Sequence, residues 1–237
     1  ADEPTSALDV TTQAQIVREM MELRDRFGTG IIIVTHNLGV AAYMADQLIV
    51  MQHGKVVDRG TRDEVMDHPT SEYSQYQNWR EDALFNPSDI VLEAKHVVKQ
   101  FPASDGRLLT ACNDVTLNVY RGKTLGIVGE SGCGKSTFVR MLTQMDTPTS
   151  GEILLHGKDI LHLKGEERRL NRQNLQMVFQ DPLASFNPKM KVMDILTEPL
   201  RNFGRLKRAD REAKARELLR MVELPEDFVY RYPHSMS

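Results

Sequence analysis

A run of residues near the middle of the chain, from Gly129 to Ser136, has the composition of a phosphate-binding loop. It reads Gly-Glu-Ser-Gly-Cys-Gly-Lys-Ser and matches the pattern Gly-x-x-x-x-Gly-Lys-Ser in full. Glycines allow backbone N–H groups to turn toward a triphosphate, and the positive N-terminal end of a following helix adds to the attraction. Lys135 would reach the β- and γ-phosphates, and the Ser136 hydroxyl would bind Mg²⁺. The alternative is a chance glycine-rich turn.

The residues on either side of this loop supply the context that a phosphate-binding loop requires. An apolar strand is predicted over 123–128 and a helix is predicted from Lys135, so the loop joins a strand to a helix. This context favours the functional interpretation over the chance turn. The candidate nucleotide-binding residues of the loop are Gly129, Ser131, Gly132, Cys133, Gly134, Lys135, Ser136 and Thr137.

Two adjacent carboxylates, Asp2 and Glu3, would supply the second half of a nucleotide-hydrolysing site. A carboxylate at a strand end holds Mg²⁺, and an adjacent one can orient or deprotonate the attacking water. Asp2 is therefore a candidate metal ligand and Glu3 a candidate general base. Taken alone, Asp-Glu-Pro would be an exposed turn that caps a helix. The run Ser-Ala-Leu-Asp at 6–9 favours the functional interpretation.

His36 is the second catalytic candidate. It follows Thr35 and the apolar stretch 30–34, which is short, β-branched and typical of a buried parallel strand. A single histidine is more often structural than catalytic. Its position directly after a buried strand favours a functional role.

Composition limits the classes of partner. Of 237 residues, 41% are hydrophobic and 27% charged, which is ordinary for a soluble globular protein, and the net charge of −3 gives no case for a nucleic-acid partner. The two cysteines, Cys112 and Cys133, form no Cys-x-x-Cys pair, which fits a reducing compartment. The longest apolar stretches, such as 31–34, are too short to cross a bilayer, and no signal-peptide pattern is recognised. A membrane role would therefore depend on a partner subunit.

Periodicity and turn residues predict the elements that position the candidates. Helices are predicted over 11–27, 61–67 and 209–224, and strands over 30–34, 48–51, 55–58, 90–98, 115–119 and 123–128, with a hairpin turn at 52–54. A linker is predicted over 81–89. The first helix has an apolar stripe of Ile16, Met20, Leu23 and Phe27, and the last one a stripe of Ala215, Leu218, Leu219 and Val222.

Taken together, the motifs resemble those of ABC-transporter ATPase subunits. Residues 1–9 look like the Walker B motif and D-loop, Val-Thr-His at 34–36 like the H-loop, residues 129–137 like Walker A, and Met-Val-Phe-Gln-Asp-Pro at 177–182 like the Q-loop. The resemblance implies an α/β fold of the P-loop NTPase type. It would have a mainly parallel sheet and an antiparallel β portion near 90–120. ATP and Mg²⁺ are the cofactors that it implies.

The same resemblance gives roles to four further residues. Gln180 in the Q-loop would contact Mg²⁺ and the attacking water and would report to the membrane partner. Phe101, in Lys-Gln-Phe-Pro, would stack on adenine; the alternative is a core residue at a strand end. Asp9 of the D-loop and Ser237, at the second position of a signature motif, are further nucleotide-binding candidates.

The order of the motifs is reversed relative to a single domain of this family, because Walker A follows Walker B. We interpret residues 1–80 as the back of one ATPase domain, 81–89 as a linker and 90–237 as the front of a second. In the family, two such domains form a head-to-tail sandwich under membrane permease subunits, at the cytoplasmic face of the cell membrane. Asp2, Glu3 and His36 would then serve one nucleotide, and the Walker A residues another. The chain would hold no complete site and would hydrolyse ATP very slowly.

The finer resemblance is to importers of peptides. Residues 180–188 and the His-Pro-Thr-Ser-Glu-Tyr run at 68–73 look like the ATPases of oligopeptide, dipeptide and nickel importers, although residues 60–89 lack the cysteines that many of those subunits carry. ATP-driven uptake of a peptide-like solute is the expected function. The alternatives are a non-transport ABC ATPase of translation or DNA repair, a P-loop kinase or GTPase, and a nucleotide-binding module without turnover.

The two segments are also expected to dock on each other as a permuted domain. In related folds the strand before the H-loop lies beside the strand before the phosphate loop, which here would pair 31–34 with 125–128. Since no Walker B strand precedes Asp2 and Glu3, these two residues are expected to be unanchored and the docking to be partial.

Overall fold

The computed structural model describes residues 1–2, 10–67, 86–104, 106–179 and 186–235. The chain divides into two compact units, residues 1–180 and residues 181–237. Elements from both sides of the predicted linker lie in the first unit. The division into parts of two ATPase domains stays a prediction.

The predicted α/β fold is confirmed, and most predicted elements are present with small shifts of their ends. The described strands are β1 (Ile31–Thr35), β2 (Gln47–Gln52), β3 (Lys55–Thr61), β4 (Ile90–Pro102), β5 (Leu108–Tyr120), β6 (Thr124–Gly129), β7 (Ser150–Leu155) and β8 (Lys158–Asp159). The described α-helices are α1 (Val10–Phe27), α2 (Leu38–Met44), α3 (Arg62–Asp67), α4 (Lys135–Leu142), α5 (Gly165–Asn171), α6 (Val192–Asn202) and α7 (Arg211–Met221). Short 3₁₀ segments occupy Pro87–Asp89, Arg172–Asn174, Arg208–Asp210, Glu226–Tyr230 and Pro233–Ser235.

The first sheet interleaves strands that are distant in sequence. Its order is β1-β6-β2-β3, and β6 is parallel to both of its neighbours. The residues of β6 are buried up to the last one, as expected for a central parallel strand. The predicted adjacency of β1 and β6 is confirmed, with Ile31 opposite Thr124 and Thr35 opposite Val128. The predicted hairpin of β2 and β3 is also present, with His53 and Gly54 in its turn.

The second sheet is antiparallel, as predicted for this part of the chain. Its strand order is β5-β4-β7-β8. The long β4 and β5 pair over most of their length, with irregularities that include a shift between Lys99 and Gln100. Side chains from both sheets share one core with α4, whose Phe138 and Met141 are completely buried. Because α4 follows the glycine loop directly, this core fixes the position of the loop.

The apolar stripe predicted for α1 is right in its first half, where Met20 packs against the core, and wrong in its second half. Leu23 and Phe27 are 50% and 61% exposed, whereas Val17 is buried against Ile33 of β1 and Met44 of α2. Periodicity identifies the helix, but the buried face depends on what packs against it. In this unit that contact is centred on Val17.

The second unit contains α6 and α7 with its own small core. The buried side chains of this core are Val192, Ala215, Leu219 and Val229. Ala215 and Leu219 were both predicted to lie on the apolar side of the last helix. Val222 was predicted there too, but it is 50% exposed because α7 ends at Met221.

Candidate functional site

Several of the described candidate residues lie at one edge of the parallel sheet. Thr35 lies opposite Val128 in the pairing of β1 with β6, and Met51 lies opposite Gly129 in the pairing of β2 with β6. His36 and the glycine loop therefore leave the sheet side by side, at the carboxyl ends of parallel strands. Open α/β sheets bind their ligands at this edge.

The glycine loop is shaped by two glycines that have no space for a side chain. A Cβ on Gly129 would lie 2.1 Å from the carbonyl oxygen of Met51, and one on Gly134 would lie 2.1 Å from the carbonyl oxygen of Ala111. Gly134 also has a φ of 106°, which side chains rarely adopt. The loop backbone is thus pressed against β2 and β5, and α4 begins directly after it.

Lys135 is folded back over this loop. Lys135 is only 5% exposed, and its Nζ donates to the carbonyl oxygens of Gly129 and Glu130, each at 2.8 Å. The Sγ of Cys133 lies 3.7 Å from the same nitrogen. The loop therefore holds a buried positive charge at its centre, as a site for anionic phosphates requires.

Asp2 contacts the first hydroxyl of α4. The Ser136 hydroxyl donates to Oδ1 of Asp2 at 3.1 Å, and Asp2 is 6% exposed. Carboxylate and hydroxyl oxygens are the hard ligands that Mg²⁺ prefers. The structure thus brings together two predicted metal ligands that are 134 residues apart in the sequence.

The expectation that Asp2 is unanchored is wrong. Ala1 and Asp2 form a short parallel bridge with Val34: the Val34 N–H donates to the Ala1 carbonyl at 2.8 Å. On the other side the Asp2 N–H donates to the carbonyl oxygen of Val178 at 2.9 Å. Backbone pairing on both sides therefore takes over the role that a longer strand was expected to play.

His36 lies at the end of β1, between two hydrogen-bonded structures. Thr35 is buried and its hydroxyl accepts from the Asn37 N–H at 2.9 Å. The Asn37 side chain in turn caps α2 by accepting from the N–H groups of Gly39 and Val40. His36 itself is exposed at the edge that the glycine loop shares. This position fits its predicted role.

Phe101 lies on the antiparallel sheet, close in register to the glycine loop. Lys99 pairs with Cys112 across β4 and β5, and the Cys112 thiol donates to the Gly134 carbonyl at 3.6 Å. Phe101 follows Lys99 by two residues on the same strand and is 37% exposed. An exposed aromatic ring at this position fits a stacking surface for a base.

The two cysteines are buried thiols: Cys133 lies within the loop, and Cys112 lies on β5 beside it. Burial, with a contribution from Cys133, raises the pKa of the Cys112 thiol to about 12 despite the opposing charge of Lys99. Cys112 therefore stays a neutral packing residue behind the loop.

Of the remaining candidates, two lie in or next to the loop and four lie outside the described residues. Ser131 is exposed in the loop and Thr137 is half-buried on α4. Glu3, Asp9, Gln180 and Ser237 lie outside the described residues. The sequence analysis missed Lys99, whose ammonium lies over the Phe101 ring. Its position two residues before Phe101 on a predicted strand could have indicated this contact, because such residues share one face of the sheet.

The arrangement as a whole defines a class of protein. A glycine loop between a buried parallel strand and a helix, with a lysine and a hydroxyl at the helix start, is typical of α/β proteins that bind nucleoside triphosphates. The family model described as ABC transporter matches residues 112–237, more than half of the chain. The chain belongs to the ABC transporter family.

The similar proteins agree with this assignment. The glutathione import ATP-binding protein GsiA of Escherichia coli K12 is 33% identical over 274 residues, and that of Salmonella paratyphi A is 33% identical over 275 residues. Each match covers 100% of this chain and 44% of the relative, so the chain spans less than half of their length.

Two solved structures are similar in fold. They are the dimeric structure of MJ0796, a bacterial ABC transporter cassette, and a dimeric post-hydrolysis state of that cassette bound to ADP and Pi. Each has a TM-score of 0.53 and 26% identity, over 62% of this chain and 63% of the cassette.

Proposed function

We propose that this chain binds ATP with Mg²⁺ at the glycine loop. The intact protein with two ATPase domains would hydrolyse ATP to power the import of a peptide-like solute. The observation that carries the proposal is the contact of Asp2 with Ser136 beside the Lys135 loop. It unites a carboxylate, a hydroxyl and a buried ammonium at the ligand-binding edge of a parallel sheet. Membership of the ABC transporter family supports the same chemistry.

Each residue has a distinct part in this proposal. Lys135 and the loop N–H groups bind the phosphates. Within this chain alone, Ser136 and Asp2 would together hold the Mg²⁺, which neutralises charge on the phosphates when bound. The residues fit the ion because both contribute hard oxygens within hydrogen-bond distance of each other. In the intact protein, Glu3 would act as the general base, and His36 as the second catalytic residue, for the nucleotide of the first domain. Gln180, Asp9 and Ser237 keep their predicted roles in metal, water and nucleotide contacts.

A tandem arrangement accounts for the order of the motifs. The family model matches from residue 112 onward, whereas the import relatives match the whole chain over 44% of their own length. Both observations support a chain composed of the back of one ATPase domain and the front of the next. In the intact protein, Asp2 and Lys135 would then serve different nucleotides, and each site would be completed by another domain. The contact between Asp2 and Ser136 is the arrangement available within this chain alone.

The same relatives support a proposal for the partners and the solute. Among the residues that the structure describes, no helix has the length and apolar character needed to cross a bilayer. Membership of the ABC transporter family supports a protein that works beside membrane permease subunits, at the cytoplasmic face of the membrane, with a second ATPase domain in a head-to-tail sandwich. The relatives are named for the import of glutathione, a tripeptide, which supports a peptide-like solute.

Direct titration of the chain with ATP tests the binding site. We expect Lys135→Ala to weaken ATP binding by at least about tenfold, because a charge-assisted contact to phosphate is lost. The matched control is Lys158→Ala, which removes an exposed lysine paired with Glu167. ATP affinity that is the same in wild type and Lys135→Ala would contradict the proposal.

Measuring phosphate release tests whether this chain alone forms a complete hydrolytic site. We expect hydrolysis by the chain alone to be orders of magnitude slower than by an intact tandem relative, because water positioning and charge stabilisation need the second domain. In the intact protein, Glu3→Gln should retain ATP binding and lose turnover. Rapid hydrolysis by the chain alone, abolished by Lys135→Ala, would show that one chain is sufficient.

A further inference from the structure

Lys99 is a nearly buried cation that lies over an aromatic ring. Its side chain is 12% exposed, and its Nζ lies 4.9 Å from the centroid of the Phe101 ring. Residues two apart on a strand point to the same face of the sheet, so the contact follows from the geometry of β4. A cation at this distance from a ring centroid is attracted to the face of the ring.

The position of the cation is fixed by two further contacts. Nζ donates to Oδ1 of Asp146 at 2.7 Å and to the carbonyl oxygen of Thr147 at 2.6 Å. Both acceptors lie just after α4, the helix that carries the phosphate-binding lysine and serine. The Lys99 ammonium thus joins the ring on one sheet to the chain segment that follows the phosphate-binding helix.

We infer that Lys99 is a positioning residue for the base end of the nucleotide site, holding the Phe101 ring in the orientation in which it stacks on adenine. The inference rests on the proposed function, because it requires a nucleotide whose base reaches Phe101. The cation covers part of one face of the ring, and the 37% exposure of Phe101 leaves the rest accessible to a base. A ring that is already held loses less side-chain freedom when the ligand binds.

The test compares two ligands that differ in having a base. ATP and inorganic tripolyphosphate are each titrated into wild type, Lys99→Met and Lys99→Arg. Methionine keeps the apolar stem and removes the charge, while arginine keeps a cation that can bind both the ring and Asp146. The control Lys95→Met removes a half-exposed lysine of the same strand, paired with Glu93.

We expect Lys99→Met to weaken ATP binding by about fivefold, the size of the cost of immobilising one side chain on binding, and to change tripolyphosphate binding by less than about twofold. Lys99→Arg should restore most of the ATP affinity. In a Phe101→Ala background, Lys99→Met should have no further effect on ATP, because the ring that it holds is absent. If Lys99→Met does not fold, Asp146→Asn tests the same orientation by removing the anchor of the cation.

Four results would overturn the inference. Equal weakening of ATP and tripolyphosphate would place the effect of Lys99 at the phosphates or on the fold. Additive effects of Lys99→Met and Phe101→Ala would show that the two residues act separately. If wild type binds neither ligand, the proposed function itself fails; if it binds both equally, the phosphate site stands and the base platform does not.

Discussion

The two ends of the candidate nucleotide site are made of different material. At the phosphate end, the shape comes from backbone: Gly129 and Gly134 lie so close to neighbouring carbonyl oxygens that no side chain fits. At the base end, the shape comes from side chains, with the Phe101 ring held by Lys99. Adding even one carbon atom to Gly129 or Gly134 causes a clash with backbone, whereas the Phe101 ring and its Lys99 contact can be removed one at a time. Substitutions should therefore be all-or-none at the first end and graded at the second.

Gly134→Ala should have the largest effect of any single substitution in the site. The new Cβ would lie 2.1 Å from the carbonyl oxygen of Ala111, at a backbone φ of 106°. Since a backbone atom cannot move aside cheaply, the loop must shift, and we expect ATP affinity to fall by more than about 100-fold with a loss of about 2 kcal/mol of stability. Titration calorimetry and chemical denaturation measure the two effects.

The matched control for this prediction is Gly157→Ala, in the turn between β7 and β8. Gly157 also has a positive φ of 74°, but nothing lies within 4 Å of its Cβ position. It should lose about 1 kcal/mol of stability from backbone strain alone, with unchanged ATP affinity. Equal loss of ATP binding in both variants would show that global stability, and not the cradle, controls binding.

Asp2→Asn should have the next largest effect, and it should appear only in the presence of Mg²⁺. Asparagine keeps the shape and the hydrogen bond from Ser136 but removes the negative charge. We expect the gain in ATP affinity on adding Mg²⁺ to fall by about 30-fold, in the range typical of changes around a metal site. Titrations with and without Mg²⁺ measure it, and Asp114→Asn, at an exposed carboxylate paired with His96, is the control. The same Mg²⁺ dependence in Asp2→Asn and wild type would remove Asp2 from the metal site.

The phosphate end could be predicted from the sequence because its chemistry is local. The glycines, Lys135 and Ser136 are adjacent in the chain, and their spacing specifies the loop that they form. The base end could be predicted only in part. The cation that holds Phe101 is fixed by Asp146, which lies 47 residues away, so the contact exists only after the two elements have packed.

The fold shows the same division between local and distant information. The hairpin of β2 and β3 was predictable from its turn, and the pairing of β1 with β6 from the resemblance to a known family. The buried face of α1 was predictable only in part, because it depends on contacts of Val17 with Ile33 and Met44. The anchoring of Asp2 was missed for a similar reason: one of its partners, Val178, comes from a distant segment that meets it only in the folded chain.

Phe101→Ala should give the graded loss expected for a side-chain platform. Stacking of a base on an aromatic ring contributes roughly 1–3 kcal/mol, so we expect ATP affinity to fall by about tenfold. Tripolyphosphate affinity should not change, because the glycine loop is untouched. The control is Leu109→Ala on the paired strand, which truncates an exposed residue directly opposite Phe101. A loss of tripolyphosphate binding in Phe101→Ala would mean that the two ends are not independent.

The smallest expected effect is a pH dependence of stability at the base end. The hydrogen bond from Lys99, aided by the Thr147 N–H and by nearby positive charge, holds the pKa of the Asp146 carboxyl below its ordinary value of 3.8. A carboxyl with a lowered pKa in the folded state stabilises the fold when ionised, so its contribution is fully present above the ordinary value and is lost as the pH falls through the folded pKa. We expect Asp146→Asn to cost about 0.5–1 kcal/mol near pH 6, given partial screening by solvent, and the difference from wild type to shrink below about pH 4. Urea denaturation from pH 3 to pH 7 measures it.

In a Lys99→Met background, the difference in stability between Asp146→Asn and its parent should become smaller and less dependent on pH. An unchanged pH profile in that background would show that the Asp146 carboxyl is stabilised by the Thr147 N–H and by the charge of Arg140, and not by the cation that holds the ring.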